Sequence, residues 1–251
     1  MAMVKRQSEE NMRAWFNIRL TINSLIIFTV AACGGGGGSS GAGIGAPPPT
    51  ASSPTVVGVA AMGAPIAGTV TLKDVTGATR AAMTSTAGAF SLDVSGLTPP
   101  FFLLAVNIPG TVALYSVAPA PGIANINPLT HLVVVAAAMY VDATIKNPAD
   151  VFADPAKFKS ITAAQVQAAT IMVMGKMSTG FRAMLSAQGA INADPISGLY
   201  AIGNGLDNTF DALTLTLDPV TGTITEKDTA TGIVTTVATQ ADFRPIQTPG
   251  S

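Results

Sequence analysis

From Thr55 to Ala118 a turn signal interrupts the chain roughly every 8–12 residues, a spacing that admits little besides short antiparallel strands. The signals are Met62-Gly63-Ala64-Pro65, Asp74-Val75-Thr76-Gly77, Ala87-Gly88 and Thr98-Pro99-Pro100. Between them lie Val57-Gly58-Val59, Gly68-Thr69-Val70-Thr71-Leu72, Ala89-Phe90-Ser91-Leu92-Asp93-Val94 and the stretch from Phe101 to Val106. Such strands bury one face each and need a second layer to bury it against, so the segment reads as a small β-sandwich. Pro100-Phe101-Phe102-Leu103-Leu104 is apolar at consecutive positions, which predicts a central strand covered on both faces.

After Pro119 the pattern changes. Asn127-Pro128, Asn147-Pro148, Asp154-Pro155 and Asp194-Pro195 each place a capping side chain before a proline, the pairing that starts helices because proline has no N–H to leave unpaired at the first position. A first helix is predicted over Pro128 to Val141, apolar almost all round and therefore buried. A longer one is predicted from Thr162, which forms a capping box with Gln165, to about Gly189. Val166, Val173, Met177, Phe181 and Met184 share its apolar face, while Gln165, Lys176 and Arg182 lie elsewhere. Alternation returns in Thr214-Leu215-Thr216-Leu217, Thr223-Ile224-Thr225 and Ile233 to Val237, separated by turns at Asp218 to Gly222 and Asp228 to Gly232. The predicted fold class is α+β: a small antiparallel β-sandwich (55–118), a helical region (119–213) and a C-terminal β-hairpin or meander (214–238), with a mobile tail (239–251).

Several positions in the sandwich resemble the carboxypeptidase-regulatory-like module, a small transthyretin-like β-sandwich common in exported bacterial proteins. They are Gly58-Val59, Gly63-Ala64-Pro65-Ile66-Ala67-Gly68-Thr69-Val70-Thr71-Leu72 and Gly88-Ala89-Phe90-Ser91-Leu92. The resemblance implies that Gly63, Pro65 and Gly68 shape the first hairpin and that Phe90, two residues after Gly88, enters the core. The family often carries an aspartate shortly before the second glycine, where this chain has Ser85 and Thr86. The likeness covers about a quarter of the chain, and it implies a scaffold and no chemistry.

The front of the chain addresses it elsewhere. Lys5, Arg6, Arg13 and Arg19 precede the apolar run Leu25 to Val30 and the small residues Ala31 and Ala32, the order of a secretory signal peptide (1–32). The run falls short of the ~20 apolar residues that a membrane-crossing helix needs. Val30-Ala31-Ala32-Cys33 resembles a lipobox, which implies cleavage before Cys33 and attachment of acyl chains to it; stable anchoring takes two or more such chains. Met12-Arg13 offers an alternative start to Met1 or Met3, with a signal of ordinary proportions. Gly34 to Pro54 is glycine, serine and then proline, a tether (33–54) that cannot bury enough to order itself.

Cleavage there would leave nine basic and twelve acidic residues of the 13 and 14 in the whole chain. A mildly acidic protein without a basic cluster has no electrostatic footprint for nucleic acid. With its one cysteine lipidated, the mature chain forms no disulfide and relies on its core.

Few residues could carry chemistry. His131 is the only histidine, and it falls in the first turn of a predicted helix, where the dipole disfavours its charged form. A histidine-rich zinc site, which needs three or four ligands, is excluded. Asp207 and Asp211, four apart on a predicted helix, share a face with Asn204 and Asn208 near them, and together these are the one candidate oxygen set for calcium. The alternative is an acidic first turn with Leu206, Phe210 and Leu213 packing inward, on which replacing both aspartates by asparagine should leave stability unchanged or slightly raised. Met172, Met174, Met177 and Met184 read as core filling, or else as an adaptable groove.

No catalytic residues and no cofactor are expected. The sequence points to a non-enzymatic binding or scaffolding protein tied to the membrane through lipid on Cys33, its envelope protein or glycan partner unidentified. Gly34, where enterobacterial sorting would use aspartate for inner-membrane retention, favours the outer membrane by resemblance. The alternatives are a carbohydrate-binding surface lipoprotein and an envelope hydrolase. The first lacks an indole platform, since Trp15 is the only tryptophan and only Tyr115, Tyr140 and Tyr200 are left. The second is opposed by the scarcity of His, Cys and Glu.

Overall fold

Along β2 (Gly68–Lys73) every second side chain is buried, and along β4 (Ala89–Asp93) buried and exposed residues alternate, as in strands with one face in a core. A computed structural model describes residues 53–244; the expected signal peptide, Cys33, the expected tether up to residue 52 and residues 245–251 lie outside the described residues. β2 pairs on one side with β3 (Thr79–Met83) and on the other with β5 (Phe101–Asn107), which pairs in turn with β6 (Ala113–Ala118). All three pairings are antiparallel. β5 is indeed central, with Phe101, Phe102 and Leu103 fully buried. β3 went unread in the sequence because Thr79-Arg80-Ala81-Ala82-Met83 is an exposed edge strand without alternation.

The second sheet runs β4, β1 (Thr55–Val59), β7 (Gly122–Ile123). β1 and β4 are antiparallel, but β1 and β7 are parallel, with Val56 opposite Gly122 and Val57 opposite Ile123. The all-antiparallel expectation fails there because the chain leaves β6, crosses to the other sheet and runs beside β1 on its way into the helices.

Two glycines fix how closely the backbones approach. A Cβ on Gly68 would lie 1.9 Å from the Val106 carbonyl oxygen across the β2–β5 pair. Gly88 has φ +74°, and its Cβ would meet the Ala60 oxygen at 2.4 Å. Ser85 takes over the turn before it, its hydroxyl accepting from the N–H groups of Ala87 and Ala89. Phe90 points into the core, 5 % exposed.

The helices are α1 (Pro128–Ala138), α2 (Pro148–Ala153), α3 (Ala163–Lys176), α4 (Thr179–Ala187) and α5 (Leu206–Ala212). α1 lies between β6 and α3, and every residue in it except His131 is buried. Each Val or Leu so buried stabilises by about 1.5–3 kcal/mol, so this helix is the middle of the fold. Asn127 caps it, accepting from the N–H of Leu129 and Thr130, and Asn147 and Thr162 cap α2 and α3 as their sequences predict. Asp154-Pro155 opens only a 3-10 turn, and Asp194-Pro195 opens a loop turn, so two of the four Asx-Pro signals start no α-helix.

The single helix predicted from Thr162 to Gly189 is two. Met177 is extended (ψ 149°), and the Ser178 hydroxyl caps α4 by accepting from the Phe181 N–H. Ser178 gives its own N–H to the Glu226 carboxylate at 2.9 Å instead of continuing the helix. The common apolar face survives the break, since Val166, Val173, Met177 and Phe181 are all buried and Met184 is half-buried.

α5 runs straight into the meander β8 (Leu213–Leu217), β9 (Thr223–Asp228) and β10 (Val234–Thr239), antiparallel throughout. The tail expected to be mobile from Thr239 is docked as far as it is described: Gln240–Phe243 forms a 3-10 turn, Phe243 is buried, and the Gln240 side chain donates to the Ile145 carbonyl. One contiguous core joins the sandwich, the helices and the meander, so the segments predicted from sequence pack as a single unit.

Candidate functional site

The four oxygen-bearing residues singled out in the sequence do not converge on a point. Asp207 is fully buried, its Oδ1 accepting from the Tyr200 hydroxyl at 2.9 Å and its Oδ2 from the Gly203 N–H at 2.8 Å. Asp211 is exposed one turn later, beside Gly63. The Asn208 amide reaches the Gln188 Oε1 at 3.3 Å, and Asn204 is an exposed loop residue whose backbone oxygen accepts from the Asp207 N–H. Among the described residues no group of three or more His, Cys, Asp or Glu side chains could hold a metal ion. Leu206, Phe210 and Leu213 do pack inward.

Asp207 is thus a carboxylate tying the loop before α5 to the helix. Burial, then the neighbouring Asp207 charge, holds the Tyr200 phenol well above its ordinary pKa, so Tyr200 stays a hydrogen-bond donor. Tyr200 itself lines an open cleft of about 320 Å³, together with Gln188, Ala193, Leu199 and Asn204.

His131 stands where α1 meets β6. Its Nδ1 is buried without a hydrogen-bond partner, and its ring meets Tyr115 edge-on, centroids 5.6 Å apart. Loss of solvent pushes its pKa down to about 4, so burial rather than the helix dipole keeps it neutral. Ser116, the next residue of β6, leaves the opposite face of the strand and turns its hydroxyl into the sandwich, so the two form no nucleophile–base pair. Tyr115 is half-buried between His131 and Phe152, with Lys73 Nζ 4.6 Å from the Phe152 ring centroid. Tyr115 meets its two aromatic neighbours edge-on, while half-buried Tyr200 lines the cleft with its hydroxyl held by Asp207.

Three polar residues organise the rest: Asp74, read in the sequence only as part of a turn, and Asn125 and Glu226, which the sequence left unread. Asp74, 1 % exposed, accepts from the N–H of Thr76, Ala78 and Thr98 and from the Thr76 hydroxyl. Asn125 accepts from the Val59 N–H and donates to the Gly198 carbonyl, while the Asn127 amide donates to Pro195. Glu226, 3 % exposed, is the third. Its signal was available: Ile224, Glu226 and Asp228 are the alternate, inward positions of β9, so a charge falls where the pattern demands an apolar side chain.

No protein-family model matches this chain, and no curated protein or solved structure is similar to it. Beside the Tyr200 cleft, two shallow grooves of about 400 Å³ each flank the outer side of α3, one walled by Ile123 and Ile196, the other by Ile171, Met174 and Ile191.

Proposed function

We propose that this chain is a lipid-anchored protein of the bacterial cell envelope whose folded unit binds or scaffolds rather than catalyses. The observation that carries the reading is the sequence Val30-Ala31-Ala32-Cys33, at the end of a basic and then apolar leader and just before Gly34 to Gly38. Acyl chains on Cys33 would hold the protein at the membrane, in the outer membrane if Gly34 acts as a sorting residue. The Gly/Ser/Pro stretch would set the folded unit off from the lipid surface. No helix among the described residues is long and apolar enough to cross a membrane.

The sandwich would be a carboxypeptidase-regulatory-like scaffold. In support, Gly63 and Gly88 have the positive φ that such turns use, and Phe90 occupies the core. A binding role is favoured over a hydrolytic one by the state of the lone histidine, whose Nδ1 is sealed and whose ring packs on Tyr115. It is favoured over a glycan-stacking role by the tryptophan count, since Trp15 is the only indole in the sequence.

The deciding experiment is Cys33→Ser expressed in a Gram-negative host. The variant is expected to lose fatty-acid labelling and to leave the membrane fraction after a carbonate wash. Membrane retention equal to that of the unaltered protein would overturn the anchor.

A further inference from the structure

α4 lies across the meander and leaves an open cleft of about 270 Å³ between helix and sheet. Phe181 and Leu213, both buried, and half-buried Met184 form its apolar walls; Ile233, 63 % exposed, stands at the rim. Glu226 lines the same cleft. Its Oε1 receives the Ser178 N–H at 2.9 Å, and the N-terminal end of α4 adds a favourable dipole there. That accounts for one oxygen. Oε2 has no hydrogen-bond partner among the described residues, and it is not sealed from solvent either. The only other ionisable group lining the cleft is Asp228, also acidic, whose Oδ1 is taken by the N–H groups of Ala230 and Thr231. Lys227 leaves the opposite face of β9, and Arg182 is exposed on α4 without lining the cleft.

Glu226 is 3 % exposed, and a carboxylate so far withdrawn from bulk water is stabilised by a cation that reaches it. Among the described residues, Glu226 meets one donor, and the cleft holds two carboxylates, no cation, apolar walls and the hydroxyl residues Ser178, Thr231 and Thr235. We propose that this cleft binds a small organic cation, an alkyl- or arylammonium whose charged head meets Glu226 Oε2 while its apolar body lies on Phe181, Met184 and Leu213. The volume is near the lower end for ligand pockets, so the ligand is a small molecule, on the order of ten non-hydrogen atoms. An ammonium over the Phe181 ring would gain a cation–π contact as well. The site deepens the binding role above and rests on it only in the premise that the folded unit takes a ligand; it does not involve Cys33.

The test is calorimetric titration of the full chain with phenethylammonium, with 2-phenylethanol as the neutral analogue and 3-phenylpropanoate as the anionic one. The ammonium should bind at least about tenfold more tightly than the alcohol, and the carboxylate should not bind. Glu226→Gln, which retains an acceptor for the Ser178 N–H, should abolish the preference for the ammonium. Thr235→Lys gives an independent variant at an exposed position directly opposite Glu226 in the β9–β10 register. Cross-strand partners have Cβ atoms about 5 Å apart, so the new ammonium would occupy the carboxylate itself and exclude the ligand. Equal binding of ammonium and alcohol would overturn the proposal, as would ammonium binding unchanged in Thr235→Lys or none by the wild type at about 10 mM, beyond even marginal small-ligand affinity. These outcomes leave the membrane fractionation of Cys33→Ser untouched, so failure here and failure of the anchor are separate results.

Discussion

Replacing Asp74 by asparagine changes neither the volume nor the shape of the side chain, only its charge and one of its two acceptors. Oδ1 accepts from the Thr76 N–H at 2.8 Å, the Thr76 hydroxyl at 2.7 Å and the Ala78 N–H at 2.9 Å, while Oδ2 accepts from the Thr98 N–H at 2.9 Å. An asparagine that keeps its oxygen toward the first three donors must aim its amide at the Thr98 N–H, donor against donor. The loss of a hydrogen bond to a charged group, with a donor left facing a donor, costs about 2–3 kcal/mol. For a folded unit of this size that lowers Tm by roughly 5–10 °C, at about 2–4 °C per kcal/mol. The pH dependence follows from the direction of the shift. Desolvation raises the Asp74 pKa, but the hydrogen bonds from Thr98, Thr76 and Ala78 outweigh it and leave the group below its ordinary 3.8. A depressed carboxylate contributes its full stability above the unfolded-state value, and that contribution is lost as pH falls through the folded-state one. Thermal unfolding followed by circular dichroism should therefore show a gap between wild type and Asp74→Asn that is constant from neutral pH down to about 4 and closes below it. A variant within about 0.5 kcal/mol of wild type at neutral pH, or a gap unchanged at the most acid pH where both fold, would refute the reasoning.

Other positions give sharper contrasts. Tyr200→Phe removes the hydroxyl from Asp207 Oδ1 and should cost about 1–2 kcal/mol in urea unfolding. Asp207→Asn should destabilise by a similar amount and Asp211→Asn by under about 0.5 kcal/mol, against the neutral outcome that the sequence predicts for the pair. His131 has a folded pKa near 4 against an ordinary 6.5, so the unfolded chain binds the extra proton and stability declines as pH falls from about 6.5 to 4. His131→Gln should flatten that slope, which is at most about 1.4 kcal/mol per pH unit for one proton.

What the sequence made legible is what a local pattern encodes. Asn127-Pro128, Asn147-Pro148 and the Thr162–Gln165 box start helices because their bonds span only a few residues. The uniformly apolar α1 and the central β5 were legible for a related reason, since nothing but burial suits them. Choices made by distant partners were hidden. The break at Ser178 depends on Glu226, 48 residues on, and the docking of Phe243 depends on contact with α3. Asp207 is the instructive case: an aspartate in a helix's first turn reads as solvated, and only the placement of Tyr200 and Gly203 above it decides otherwise. Asp74 looked like a turn residue and is one, but its second oxygen also fastens the turn at Thr98.

The Asn125 side chain touches β1 at the Val59 N–H and the loop after α4 at the Gly198 carbonyl, 73 residues away, and Asn127 repeats the span to Pro195. These two amides close a loop that contains α1, α2, α3 and α4. The loop cannot open at its ends without leaving the buried amides of Asn125 and Asn127 unpaired beside the sandwich. Separation of the loop's two ends is thereby coupled to the pairing of β1, which Asn125 holds at the Val59 N–H. In a chain with no disulfide among its described residues, such ties between distant segments oppose the partial opening on which proteases act.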